Sequence, residues 1–534
     1  MSISKAINIA GRQIVVQETA IDRLIGWINP QKALARLGSR ALLEMHARYV
    51  GASKDRRATR SWLPGGADAD GEILPDLETL RARSRDLLRN APLAAGAVNT
   101  VVANVVGSGL KLQARPDREY LGLADQDADR WESSVEREWR LWSESSNLDA
   151  ARTLDFAAFQ ELAFRQTLEN GDVFILLPKI SRLGSPYSLC LQMVEGDRVC
   201  NPNFGIDKNQ LAGGVEKDKH GAPVAYHILN QHPGSHKFIE YRWRRVPAFG
   251  TKTSLRTVLH LYRMLRPDQS RGVPYLAPVI EPLKQLDRYT EAEIMAAVVS
   301  GMFTVFVKSE MGGGLAGMGV AQSVQGVPVA ASTDEYRLGN GSIIDLATGE
   351  DVTIANPGRP NTAFDPFIQA VLRQVGVALE LPFEVLIKHY TASYSAARAA
   401  MLDAWKFFLG RRSWLARSFC QPVYEAWLTE AVALGRIAAP GFFTDPLIRK
   451  AWLGTEWVGP SRGQIDELKE IKAARERIAA GVSTISEVTA EMTGGDWERK
   501  HAQRVKETTL RQAAGLEDSL DYEGQKEPET RIEE

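Results

Sequence analysis

Cysteine is scarce in this chain: Cys190, Cys200 and Cys420 are all there is in 534 residues, with no C-x-x-C pair. Three thiols cannot make a disulfide framework, and their number fits a reducing cytoplasm. Net charge is also near zero, with 65 Lys and Arg against 66 Asp and Glu. No global positive field therefore draws the chain to nucleic acid, and any contact with DNA needs a local arrangement of charge or confinement by geometry. The first residues, MSISKAINIAGRQIVVQE, lack the unbroken apolar core of a secretory signal. Ala91–Leu110 carries no charge but is built of Ala, Gly and Val, interrupted by Pro92, Asn99 and Asn104. That is too weakly apolar for a bilayer span, so a buried helix is expected there and no membrane partner.

The signatures of catalysis are missing too. There is no G-x-x-x-x-G-K-[ST] run to cradle phosphates and no G-x-S-x-G elbow. Gly312–Gly317 matches G-x-G-x-x-G after a strand-like segment, but MGVAQSVQGVPV follows it where a helix would have to begin. A loop is expected instead. His227, His232 and His236 lie close together in a Pro/Gly segment without helical H-x-x-x-H spacing. No metal site, no cofactor and no catalytic residue is expected, and the carboxylates single out no acid/base pair.

A chain this long exceeds one hydrophobic core, and 44% hydrophobic with 25% charged residues is ordinary globular composition. The pattern predicts an α+β, mainly helical protein. Residues 1–60 read as helical and basic toward the end, with helical spacing over Ala33–Tyr49, followed by a loop over Trp62–Gly71. Leu77–Leu88 is a helix whose arginine row, Arg81, Arg83, Arg85 and Arg89, reads as a solvated face rather than a phosphate clamp. Ala94–Val106 is a helix stopped by Gly107–Gly109, and Leu110–Ala114 a strand. Asp127–Ser143 places Trp131, Val135, Trp139 and Trp142 on one face for core packing. Asp155–Asn170 is amphipathic, with Asp155 as N-cap and Gly171 as stop. Strands follow at Val173–Leu177, Tyr187–Val194, Ala225–Ile228 and Val258–Tyr262.

A second helix is expected over Pro274–Gly301, its first turns irregular at Pro278 and Pro282. Its apolar stripe runs through Leu276, Val279, Ile280, Leu283 and Leu286. Phe303–Val307 reads as a strand, Gly312–Gly319 as a glycine loop and Gly341–Asn356 as hairpin-like. Asp365–Pro366 opens a helix that ends near Leu381–Pro382. The segment Ile387–Ser395 carries Lys388, His389, Tyr390 and Tyr394. It is either a contact for a phosphate backbone or a plain helix connection capped by Ser393 or Ser395. Ser393–Gly435 is a long aromatic helix kinked at Pro422. Ser461/Gln464 and Thr484/Glu487 have capping-box spacing, Trp497–Gly515 is one more helix, and Glu517–Glu534 is an acidic, disordered tail.

Several ordered blocks carry a resemblance: ARYVGAS, LRARSRDLLRNAPLAAGAVNTVVANVVGSGLKLQ, RPDQSRGVPYLAPVI, ELPFEVLIKHYTASYSAARAA and GPSRGQIDELKEIKAARERIAAGVSTISEVTAEMTGGDWE. Together they resemble the lambda-type portal proteins of tailed bacteriophages along most of the chain. The resemblance implies a portal fold of wing, stem, clip and crown. It implies a homo-oligomeric ring, usually of twelve subunits, at one capsid vertex, assembled in the host bacterial cytoplasm and carried in the virion. Double-stranded DNA would be packaged and ejected through its channel. Implied partners are the terminase large subunit, the major capsid protein or scaffold, and head-completion or neck proteins. Under it, residues 1–154 are the N-terminal segment and wing, 155–171 the first stem helix, 172–270 the clip and 271–301 the second stem helix. Residues 302–384 return to the wing, 385–396 form the tunnel loop, 397–440 the long kinked helix, 441–516 the crown, and 517–534 the tail. Lys388, His389, Tyr390 and Tyr394 would then face DNA from the tunnel loop, and Lys284, Arg288 and Glu291 from the stem. Two other readings of the chain stand beside this one: a metal-dependent packaging nuclease, and a head–tail adaptor that does not conduct DNA.

Overall fold

In the computed structural model of the chain, the described residues are 3–9, 12–18, 20–45, 56–237, 240–301, 305–309, 350–354, 362–390, 393–464 and 466–515. For 3–20, 40–45, 299–301, 305–309, 350–354 and 394 the description is of backbone alone. The glycine motif 312–317, most of Gly341–Asn356, and the tail 517–534 lie outside the described residues. The chain divides into two compact units, Met1–Asp68 and Ala69–Glu534.

The first unit corrects the all-helical expectation for residues 1–60. β1 (Ile3–Ile9) and β2 (Arg12–Glu18) pair antiparallel, with Ile7 opposite Ile14. Ile7 and Ile9 flank Asn8 in β1 and β2 carries the β-branched run Ile14–Val16, both of them strand signals. α1 (Ala20–Ile28) and α2 (Pro30–Met45) follow.

The second unit is built round a helix of small residues. α3 (Ala69–Asn90) leads to α4 (Pro92–Val105), which buries Ala94, Ala97, Val98, Val101, Val102 and Val105. Short side chains let neighbours approach closely, so α4 becomes a core strut and not a membrane segment; no described helix is long and apolar enough to cross a bilayer. β3 (Lys111–Ala114), α5 (Arg118–Leu121) and α6 (Asp125–Ser143) come next. Trp139 of α6 meets Phe156 and Trp427 edge-on, each at 5.1 Å, and Trp457 at 5.9 Å. Those aromatic edges join α6 to residues from three later parts of the chain in one core.

α7 (Phe156–Asn170) begins where Asp155 accepts the Ala158 N–H and stops at Gly171. β4 (Asp172–Leu176), β5 (Gln192–Glu195) and β10 (Val258–Tyr262) form one antiparallel sheet in the order β10-β4-β5. β6 (Leu211–Ala212), β7 (Val215–Lys217), β8 (Pro223–Leu229) and β9 (Trp243–Pro247) form a second. β4 is buried at every residue. Val173 and Ile175 join the main core, while Phe174 and Leu176 join a smaller core with Val215, Tyr226 and Val246. The segment 172–270, expected as a separate clip, is thus rooted in the body: its first and last strands are covered on both sides.

α8 (Ile280–Gly301) starts after a tight turn at Ala277–Val279. β11 (Val305–Ser309) and β12 (Glu350–Ile354) pair antiparallel, and α9 (Phe364–Ala378) and α10 (Phe383–Ile387) follow. Asp365 lies inside the first turn of α9 rather than at its cap. α11 (Tyr394–Leu415), capped by Ser393, runs through a π-turn at Ala416–Cys420 into α12 (Gln421–Ala433). The proline expected to kink this helix, Pro422, lacks an N–H to donate, and the irregular hydrogen bonding falls in the turn just before it. α13 (Pro446–Trp452) and β13 (Thr455–Val458), paired with β3, precede α14 (Glu467–Ala479), α15 (Ile485–Thr493) and α16 (Trp497–Ala513). The capping box at Thr484/Glu487 forms. The one expected at Ser461/Gln464 does not, because the helix starts later, with Asp466 accepting from Lys469 N–H.

The arginine row of α3 is split: Arg83 and Arg89 are exposed, as a solvated face requires, whereas Arg81 and Arg85 turn inward. Arg81 is buried, and its guanidinium reaches Asp172 Oδ1 at 2.6 Å and the Asn170 carbonyl at 2.8 Å. Arg271 approaches the same carboxylate at 2.6 Å and donates to the carbonyls of Gly196, Val199 and Gly213. His260 Nε2 lies 3.2 Å from Asp172 Oδ2, and the Gly272 N–H donates to that oxygen. Arg85 pairs with Asp197 beside them. A Cβ on Gly272 would stand 2.0 Å from the Gly171 carbonyl oxygen, so the two chain segments cross backbone to backbone here. Burial opposes ionisation of Asp172, but the guanidinium groups of Arg271 and Arg81 prevail and hold its carboxyl well below the usual range.

Removing that charge leaves two buried cations without a counter-ion. Asp172→Asn is expected to cost about 3–5 kcal/mol of unfolding free energy in urea titrations. A loss under about 1 kcal/mol would contradict the central place given to this carboxylate. Glu136 behaves oppositely: burial pushes its carboxyl up to about 7. Its folded pKa lies above the unfolded value, so the folded state binds the extra proton and stability falls as pH rises from about 4.5 to 7. Glu136→Gln is therefore expected to gain about 1–3 kcal/mol over the parent chain between pH 5 and pH 8. Parallel stability–pH curves for the two proteins would refute it.

Candidate functional site

α8 buries Leu283 and Leu286 and sets Tyr289 against Phe364 and Phe367 of α9, with ring centroids 5.6 and 5.2 Å apart. At the other end, the Tyr275 hydroxyl, just before α8, donates to the carbonyl of Leu379, just after α9. The start of α8 therefore lies by the end of α9 and the start of α9 by the middle of α8, so the pair is antiparallel. α8 continues for twelve residues past Tyr289, roughly 18 Å, and there Ile294, Met295 and Val298 are exposed.

Lys284, Arg288 and Glu291 are all exposed on α8. Their spacing of four and three residues puts them on one solvent face, opposite the buried leucines. Leu276, Val279, Ile280 and Leu283 belong to the chain's own core. The apolar stripe is thus spent inside the subunit, and the apolar residues left exposed are those of the far end.

The helix expected as the first stem helix, α7, is largely buried. Along α7 only Glu161 is exposed, with Phe156, Phe159, Ala163 and Phe164 in the main core. The rest of α7 is buried or half-buried, which leaves it a narrower free surface than α8 has. The partner of α8 is α9, a helix that the sequence reading assigned to the wing.

After α9, α10 buries Val385 and Leu386. Lys388 follows in the left-handed region, φ 55°, with its N–H on the Glu384 carbonyl, which ends the helix and turns the chain outward. Lys388 and His389 are exposed, and Tyr390 is half exposed with its hydroxyl 3.8 Å from the Met401 sulfur. The Ser393 hydroxyl accepts the Ala396 N–H, which starts α11, whose first residue is Tyr394. The segment is thus both a capped connection and an exposed cation, imidazole and phenol on a short loop. Lys388–Tyr390 and the α8 stripe sit on different elements, joined through α9, which packs against both α8 and α10.

Among the described residues no group of three or more His, Cys, Asp or Glu is placed to hold a metal ion. His227 pairs with Glu216, and His232 lies 3.9 Å from Asp197. The sequence reading passed over Arg411 and Arg412, and adjacent cations in the apolar run WKFFLGRRSWL were the signal available. Arg412 donates to the carbonyls of Asn104, Val105 and Pro460, neutralising the C-terminal end of α4.

Residues 55–412 match the family described as phage portal protein, lambda family. The chain is 27% identical over 507 residues to portal protein B of Escherichia phage lambda, covering 90% of this chain and 92% of that protein. It is 28% identical over 486 residues to the portal protein of Escherichia phage N15, covering 86% and 89%. A solved structure titled the neck of a native GTA particle, computed with C12 symmetry, superposes with TM-score 0.40 at 13% identity, covering 78% of this chain and 98% of that one. With the family match extending over more than half its length, the chain belongs to the lambda family of phage portal proteins.

Proposed function

We propose that this chain is the subunit of a ring-shaped portal at a capsid vertex, through which double-stranded DNA enters during packaging and leaves at ejection. The observation that carries the reading is the similarity to portal proteins along nine-tenths of the chain. In this reading the antiparallel pair α8/α9 is the stem, replacing the pair of α7 and α8. Lys284, Arg288 and Glu291 face the passage, two cations and one anion, a mixed wall that attracts DNA weakly. Strong phosphate pairing would deepen binding and its salt dependence and so brake sliding. The connection between α8 and α9, which contains β11 and β12, takes the place of the clip that meets terminase and later the neck proteins. Ile294, Met295 and Val298 lie against the adjacent subunit. A heterologous contact repeated about an axis closes into a ring, and twelve copies is the expected number. The work of pumping belongs to a separate ATPase, and the portal itself performs no catalytic step.

The loop 385–396 is the tunnel loop of this reading. Lys388→Ala and Tyr390→Ala are expected to leave ring assembly unchanged and to lower packaged or retained DNA several-fold. Assembly is read from negative-stain images, and DNA from nuclease-protected genome per particle. Wild-type DNA yield in both variants would reject the tunnel-loop assignment. Magnesium-dependent cleavage of DNA by the purified chain would reject the conduit reading as a whole.

A further inference from the structure

A cavity of about 210 Å³ lies where α7, the segment leading to α8, the end of α9 and α11 converge, and Arg263, Leu265, Tyr275, Glu380, Arg411 and Trp414 are among its walls. The Arg411 guanidinium stands 5.0 Å from the Phe407 ring centroid and 5.8 Å from that of Tyr275. Aromatic faces hold such a cation and restrict its orientation. Among the described residues Arg411 has neither a hydrogen-bond acceptor nor an ion pair. The other deeply placed arginines contrast with it. Arg81 and Arg271 share Asp172, while Arg412 and Arg182 each donate to three backbone carbonyls. Burial lowers the Arg411 pKa and the nearby Arg263 lowers it further, with Tyr275 and Glu380 opposing them only in part. Glu380 is 3.4 Å from Arg263. The cavity thus holds two cations and one carboxylate.

A half-buried arginine whose nearby carboxylate, Glu380, is already paired with Arg263 lacks a direct partner, and a planar guanidinium fork suits a carboxylate in two-pronged contact. We propose that Arg411 is a socket completed by a carboxylate side chain from a second copy of this chain. The proposal rests on the portal reading. The rim favours a protein occupant: Met264 is 58% exposed, Leu265 62% and Val377, next to cavity-lining Ala378, 82%. Exposed apolar side chains around a recessed arginine are the anatomy of a protein–protein contact centre. A phosphate backbone is met instead by polar and basic side chains. A heterologous ring contact needs the socket on one side of each subunit and the acid on the other, and an exposed acid such as Glu281 of α8 is available.

The test uses the full chain with Arg411→Lys, Arg411→Gln and Arg411→Glu. Ring fraction is measured against protein concentration by mass photometry, and folding by thermal melts of the unassembled protein. Arg411→Lys is expected to weaken assembly mildly. Arg411→Gln should raise the concentration needed at least about tenfold, and Arg411→Glu should abolish rings through repulsion. Melting of the Gln variant should be unchanged or higher, since an uncompensated cation has gone. Wild-type assembly by the Gln and Glu variants would overturn the proposal. So would equal losses in all three, which would mean packing alone. Normal rings with reduced duplex-DNA binding would put a phosphate in the socket and overturn it as well. If the parent chain forms no rings under any condition, the portal reading itself falls, and this pair with it.

Discussion

Asp172 is the charge on which the second unit is assembled. Its carboxylate neutralises Arg81, 91 residues earlier, and Arg271, 99 residues later, while His260 and the Gly272 N–H complete its shell. Three distant parts of the chain are thereby tied at one point: α3, the start of β4, and the segment leading to α8. Each alone would be a poor risk, because an unpaired ion in a core is worse than an apolar residue. Together they fix where α3 crosses the sheet and the angle at which the chain leaves β10 toward α8. The tight crossing of Gly171 and Gly272 is the backbone counterpart of that ion cluster.

Local structure was legible to the degree that it was local. The Asp155 cap and Gly171 stop of α7, the tryptophan face of α6, the π-turn beside Pro422 and the box at Thr484/Glu487 all follow from residues within a turn or two of one another. The hairpin Ile3–Glu18 was missed because a helical reading of the basic stretch after it was extended backward over strand signals. Arg81 was misread for a different reason. A row of arginines on a helix looks solvated unless its counter-ion is known, and here the counter-ion is 91 residues away. Arg411 escaped notice because its peculiarity is a missing partner, which no sequence displays.

The candidate site illustrates the same limit one level higher. α7 and α8 are similar amphipathic patterns, and a sequence cannot say which one its own chain will cover more fully. Burial decides it: α7 keeps one exposed residue, whereas α8 keeps a charged face and a bare apolar end. The aromatic contacts of Tyr289 and the hydrogen bond of Tyr275 then identify α9 as the partner of α8. Lys284, Arg288 and Glu291 are exposed groups whichever helix is taken as the partner of α8.

Near-neutrality also means something narrower than the whole-chain total suggests. Residues 1–68 hold eleven Lys and Arg against five Asp and Glu, and residues 517–534 hold two against eight. What lies between has 52 against 53. The balance is thus a property of the body itself and not a cancellation between its ends. A body of that composition can mix signs along one helix face, as α8 does. The potential felt by a passing polyanion then changes sign within a few residues, and such alternation is averaged over a Debye length of about 8 Å at physiological salt. On the proposed reading such a wall would neither hold nor repel DNA strongly, leaving any gripping contact to a few exposed groups such as Lys388 on its left-handed turn.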